Sequence, residues 1–178
     1  MQEMKATLPA WGSENARRSA RFIAIVIVGT LAIPFLWNQL FGIRLLERAT
    51  AQVASAGLNA LGVSGRIVSV VEPVQFIVQG KTIEFGELCT GLLEFSIIAS
   101  AIAATKEIPR KKRMVGVFGA LVGVFAFNQL RVVASAMQLL NTNVEIADLT
   151  HNVLFRVFLF IVIAGMYWAW LDWALKEK

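Results

Sequence analysis

Ile83-Glu-Phe-Gly86-Glu-Leu-Cys89-Thr-Gly91-Leu-Leu-Glu94-Phe-Ser-Ile-Ile-Ala-Ser100 marks a change of state in the chain. Its first residues alternate polar and apolar, the period of a strand, and from Leu88 an apolar run continues to Thr105. The only cysteine of the 178 residues, Cys89, stands at the junction. The apolar run predicts a helix with Cys89 in its first turn. Unpaired backbone N–H groups and the positive end of the helix dipole would there favour a thiolate, the nucleophilic form, over a thiol of pKa about 8.5. A lone cysteine in an apolar helix also serves as a small hydrophobe.

Outward from this junction the chain reads as an all-α multi-pass membrane protein. Hydrophobic residues make up 57% of it and mean hydropathy is +0.64, above the roughly 45–50% apolar content of soluble domains. One cysteine excludes an internal disulfide, and one histidine, His151, makes a histidine metal cluster implausible, so neither a metal nor a cofactor is expected. Residues 22–43 carry no charge and are long enough to span a bilayer. No small-x-small cleavage site follows them, so they read as a retained span. Leu46, Ala49, Val53, Ala56 and Ala60 recur at near-helical spacing and predict an interfacial helix over 45–61. Val74, Phe76 and Val78 alternate with Gln75, Ile77 and Gln79, and Ile83 and Phe85 follow Gln79-Gly80-Lys81, which predicts a small extracytoplasmic β-hairpin leading into Cys89. Further spans are expected at about 88–105, 114–140 and 152–175, four in all within a single membrane domain over 1–178. Trp168, Trp170 and Trp173 form an interfacial cluster near the far end of the last.

Charge sets the expected orientation. With residues 1–21 as a cytoplasmic tail, segments 1–21, 106–113 and 176–178 hold eleven lysines and arginines, against four in 44–87 and none in 141–150. The positive-inside rule therefore predicts both termini in the cytoplasm and 44–87 extracytoplasmic. The net charge of +5 is thereby assigned to topology rather than to nucleic acid.

This topology brings three reactive side chains to one layer. Cys89 and His151 each begin a span that starts outside. Arg131 lies 17 residues beyond Met114, ~25 Å up a core ~30 Å thick at ~1.5 Å per residue. An ionisable residue within a span is a functional hypothesis by default. Glu94 and Arg156 each lie five residues below Cys89 and His151, so they are expected to pair or to share water beneath the site. Asn128, one helical turn before Arg131, is expected to orient it.

Cys89-Thr-Gly91, Asn128-Gln-Leu-Arg131 and His151, in that order, resemble the exosortase/archaeosortase family over roughly residues 66–165. The resemblance implies a cysteine-type endopeptidase or transpeptidase with a Cys, Arg, His set. It also implies substrates that are secreted proteins with a C-terminal sorting signal, cleaved at the outer membrane face and passed to a lipid- or glycan-linked acceptor. Many relatives have six to eight spans, where four are counted here. The residue types suit acyl transfer in their own right: a nucleophile, Cys89; a proton carrier, His151; and a permanently charged oxyanion stabiliser, Arg131. Transfer and hydrolysis both fit. The alternative is a non-enzymatic membrane assembly or partner protein in which the trio is structural. A transporter fits less well, because transport sites lie near the midplane.

Overall fold

The computed structural model describes residues 11–68, 73–141 and 155–176, with side chains for all of these except 11–13, 155 and 156. Residues 142–154, His151 among them, lie outside the described residues, and so does the side chain of Arg156. The elements are α1 (Trp11–Phe41), α2 (Ile43–Ala60), β1 (Arg66–Val68), β2 (Val74–Val78), β3 (Lys81–Phe85), a 3-10 turn (Glu87–Cys89), α3 (Leu92–Ala104), α4 (Arg110–Asn141) and α5 (Phe155–Lys176). The protein is mostly helical, with one small sheet.

Among the described residues three helices, against the four spans expected, are long and apolar enough to cross a membrane: Glu14–Phe41, Arg110–Asn141 and Val157–Lys176. The expected span at 88–105 contracts to the 13 residues of α3, ~20 Å of helix against a hydrocarbon core of ~30 Å. Its surroundings account for this. Leu92, Ser96, Ile98, Ala99, Ser100, Ile102 and Ala104 are all buried, because α3 packs against α1, α4 and α5. A helix apolar all round is a buried one, and α3 is the centre of the bundle rather than part of its lipid-facing wall. Small residues set the close approach: a Cβ on Gly29 of α1 would lie 2.9 Å from Ser100 Cβ.

The wall is made by the long helices. Ile23, Ile27, Val28, Leu31 and Phe35 of α1 are exposed, as are Phe118, Leu121 and Val122 of α4 and Phe158, Phe160 and Ile161 of α5. These are apolar surfaces that lipid can cover. α1 begins at Trp11, well before the expected boundary at 22, and runs on through Pro34. It stops at Gly42, whose φ of 72° breaks the helix and lets the chain turn directly into α2.

α2 turns most of the expected apolar face outward, away from the protein. Val53, Ala56 and Ala60 are exposed, while Glu47, Thr50, Ala51, Ala54, Ser55 and Leu58 form the buried face. That small and polar stripe recurs at i, i+3, i+4, i+7, and it packs on α4 and the sheet. The sheet is antiparallel in the order β1-β2-β3, so a strand joins the expected hairpin. In β2, Val74, Phe76 and Val78 face the core as the alternation predicts. Gln79 and Gly80, both at positive φ, close a two-residue hairpin turn in which Val78 pairs with Lys81. Lys81 Nζ then donates to the carbonyl oxygen of Leu139, 2.6 Å away at the end of α4. A cation on the negative end of a helix is favourable, and it ties the sheet to α4.

Two apolar clusters result. One joins α2, the sheet and the last turns of α4 through Leu58, Phe76, Phe85, Val132 and Ala136, with Cys89 against its edge. The other joins α3, the first half of α4 and α5 through Ile98, Ile102, Val124, Leu159 and Ile163. At the far end, Arg113 donates to the Ala103 carbonyl of α3 (2.9 Å) and Lys112 to the Ala174 carbonyl of α5 (3.0 Å). The Trp170 indole N–H donates to the Lys112 carbonyl (3.1 Å). The basic stretch therefore caps two helix ends, and the catalytic-looking residues lie at the opposite end of α3.

Candidate active site

Cys89 is not in the first turn of α3. It closes the 3-10 turn, and Gly91 is the residue that precedes the helix. Gly91 has a φ of 76°, a left-handed conformation that side chains resist. Space imposes a second constraint there, because a Cβ on Gly91 would lie 3.1 Å from the Asn128 side chain. The turn holds itself by Cys89 N–H to Gly86 O (2.9 Å) and Thr90 N–H to Glu87 O (3.1 Å). The Thr90 hydroxyl donates to Glu87 O (2.7 Å) and accepts from Leu92 N–H (3.3 Å). Thr90 thus joins the turn to the helix, which gives the Cys-Thr-Gly order a physical basis.

Asn128 and Arg131 approach this turn from one face of α4, three residues apart. The Asn128 amide donates to the carbonyl of Cys89 at 2.7 Å, and Arg131 Nη2 donates to the carbonyl of Leu88 at 2.8 Å. Asn128 therefore does not spend its amide on orienting Arg131; it holds the cysteine. Both side chains are buried, Asn128 completely. Glu94, in the first turn of α3, lies 3.9 Å from Arg131 Nη1. The expected partner of Glu94 was Arg156, whose side chain lies outside the described residues; the cation seen beside it is Arg131. Arg131 Nε is buried with no hydrogen-bond partner among the described residues, as is Asn128 Oδ1.

Burial pushes the Cys89 thiol above its ordinary pKa. The Arg131 charge and the Gly86 hydrogen bond pull it down, and the charges of Glu47 and Glu94 push it further up. The helix-dipole expectation of a lowered value fails because Cys89 sits outside the helix and desolvation is the largest effect. An apolar cavity of about 90 Å³ adjoins the turn, lined by Ile33, Trp37, Thr90, Gly91, Phe95 and Phe125 among others. Among the described residues no group of three or more His, Cys, Asp or Glu is placed to hold a metal ion.

The family model of the transmembrane exosortases matches residues 5–174. The chain belongs to that family. No curated protein matches it, and no solved structure does. The family and the long apolar helices make this exosortase a membrane protein.

Of the six residues singled out from sequence, the structure brings Cys89, Glu94, Asn128 and Arg131 together. The residue missed in this exosortase is Glu47 of α2. It is only 5% exposed and close enough to oppose a charge on Cys89. The signal that could have found it is the polar stripe of Glu47, Thr50 and Ser55 on the face opposite the apolar one.

Proposed function

We propose that this exosortase is a cysteine transpeptidase embedded in a prokaryotic cell membrane. It cleaves the C-terminal sorting signal of secreted, membrane-anchored proteins and passes the new carboxyl terminus to an acceptor, a lipid- or glycan-linked amine or hydroxyl. Cys89 is the nucleophile, His151 the proton carrier and Arg131 the stabiliser of the oxyanion. The observation that carries this reading is the grip of Asn128 and Arg131 on the turn that bears the only cysteine.

The raised pKa decides how the thiol is used. At neutral pH Cys89 rests protonated, so the proton leaves as the substrate is attacked rather than beforehand. His151 takes the proton from Sγ while the S–C bond forms and the carbonyl electron pair moves onto oxygen. The oxyanion is stabilised by the Arg131 charge, with Nε the guanidinium N–H that has no partner among the described residues. Collapse breaks the C–N bond, and His151 gives its proton to the departing amine. The acceptor then attacks the thioester, loses its proton to His151, and Cys89 leaves as sulfur that regains that proton. Water in place of the acceptor gives hydrolysis.

Depth supports this order of events. α3 rises ~20 Å from the basic end, and the cysteine turn follows at its far end, toward the outer boundary of a ~30 Å core. The sheet and the last ten residues of α4 continue beyond it. A recessed, weakly polar site disfavours a resting thiolate and strengthens the Arg131 interaction with an oxyanion. With the basic end cytoplasmic, the site faces outward.

The test is co-expression with candidate substrates ending in a short motif, an apolar helix and a basic cluster. Cys89→Ala should abolish processing, and a thioester on Cys89 should accumulate when no acceptor is present. The rival reading, a non-enzymatic assembly protein, draws on one observation: Arg131 already binds a backbone carbonyl and lies beside Glu94. It requires Cys89→Ser to keep full function.

A further inference from the structure

We propose that Asn128 is a positioning residue for the nucleophile, acting through the backbone of Cys89. The proposal rests on the reading of Cys89 as nucleophile and adds what holds it in place. The peptide groups on both sides of Cys89 are tied: its N–H to Gly86 O at 2.9 Å and its carbonyl to the Asn128 amide at 2.7 Å. The preceding carbonyl, that of Leu88, is held by Arg131 one helical turn further on. Two consecutive carbonyls gripped by one rigid helix leave the cysteine little backbone freedom, so its Cα–Cβ direction is set by α4.

Three observations make this grip specific rather than incidental. Asn128 has no exposed surface, so its amide exchanges hydrogen bonds with no solvent. Its Oδ1 has no partner among the described residues, and the bond to Cys89 is the one its side chain makes there. Gly91 completes the fit. Its left-handed backbone turns the chain from the 3-10 segment into α3, and its missing side chain is what lets Asn128 approach, since a Cβ would stand 3.1 Å from Asn128 Cγ. The glycine of the Cys-Thr-Gly stretch and the asparagine of the Asn-x-x-Arg stretch are two halves of one contact.

The grip matters to rate because a misplacement of about 1 Å at a nucleophile can cost ~10²-fold. Asn128→Asp keeps the size and replaces the donor by an acceptor pointed at a carbonyl. In the full-length protein in detergent, with a fusion substrate that ends in a sorting motif, apolar helix and basic cluster, kcat should fall roughly 30- to 100-fold while KM stays within about twofold. Lowering the pH should restore part of the kcat, because the introduced carboxyl, once protonated, can donate again. Ile102→Val, in the cluster away from the site, is the stability control: for an equal loss in melting temperature its kcat should stay near wild type. Should Asn128→Asp fail to fold, Gly91→Ala displaces the same amide from the other side and should give the same selective loss in kcat. A wild-type kcat in the Asn128→Asp protein, or in Gly91→Ala where that is the variant that folds, overturns the proposal. So does a loss no larger than that of Ile102→Val at matched stability. Failure of the underlying reading shows separately, as processing at the wild-type rate by Cys89→Ala.

Discussion

Cys89 is a half-buried thiol with opposing charges around it. Burial and two carboxylates favour the protonated form, and Arg131 opposes them. A raised pKa means that the reactive thiolate is scarce at neutral pH and grows as pH rises. The rate of alkylation by iodoacetamide in detergent should therefore keep climbing past pH 8.5, the ordinary thiol midpoint of about 8.5 having been displaced upward. A plateau below pH 8 would instead indicate a preformed thiolate. Arg131 and Glu94 make a second argument at this scale. Their side chains are 7% and 16% exposed and 3.9 Å apart, so removing the carboxylate leaves a buried cation with less compensation. Glu94→Gln should cost about 1–3 kcal/mol in thermal or denaturant unfolding. Glu94→Gln combined with Arg131→Met should cost less than the two separate losses added together, since the double variant buries no unpaired charge. Strictly additive losses would show that the two groups do not interact.

At the level of elements, the junction between the 3-10 turn and α3 is the part under most constraint. Gly91→Ala asks a Cβ to accept a left-handed backbone, worth about 1–2 kcal/mol, in a space already limited by Asn128. Unfolding of this variant in detergent should show at least that loss. An equal substitution at Gly119, with nothing within 4 Å and an ordinary helical backbone, should be neutral or slightly stabilising because alanine favours a helix by ~1 kcal/mol. Beside its apolar packing, the sheet is tied to α4 by Lys81 on the carbonyls of Leu139 and Leu140. Lys81→Met removes a charge-assisted hydrogen bond worth about 1.5–3 kcal/mol. It should loosen the hairpin more than it lowers global stability. Hydrogen exchange across residues 74–85 measures this, and unchanged protection there would mean that packing alone holds the sheet.

For the whole molecule the governing feature is its polarity from end to end. One end holds the basic stretch capping α3 and α5, and the other holds the sheet, α2 and the cysteine turn. Under the proposed orientation the basic end is cytoplasmic, as the positive-inside rule expects. In a Cys89→Ala background, Lys111→Cys should be shielded from a membrane-impermeant thiol reagent in intact cells, while Thr82→Cys in β3 should be labelled. Both positions are exposed in the fold, so access depends on the side of the membrane alone. Labelling of Lys111→Cys from outside would reverse the orientation and the outward-facing site with it.

Local pattern determined much of this protein. The alternation of Val74, Phe76 and Val78 specified β2 and the face it buries, because strand periodicity is a property of the backbone. Apolar length specified the long helices, and the spacing of Asn128 and Arg131 put them on one helix face. Tertiary structure decided the rest. A run of apolar residues looks the same whether lipid or protein covers it, so the sequence could not show that α3 is a short helix covered by its neighbours. At α2 the sequence offered an apolar face and a polar stripe, and only packing showed that the stripe with Glu47 turns inward onto α4 and the sheet. The partner of Asn128 was equally out of reach. It is the carbonyl of Cys89, a backbone group that every residue possesses, and only the path of the chain through Gly91 brings it within 2.7 Å of that amide.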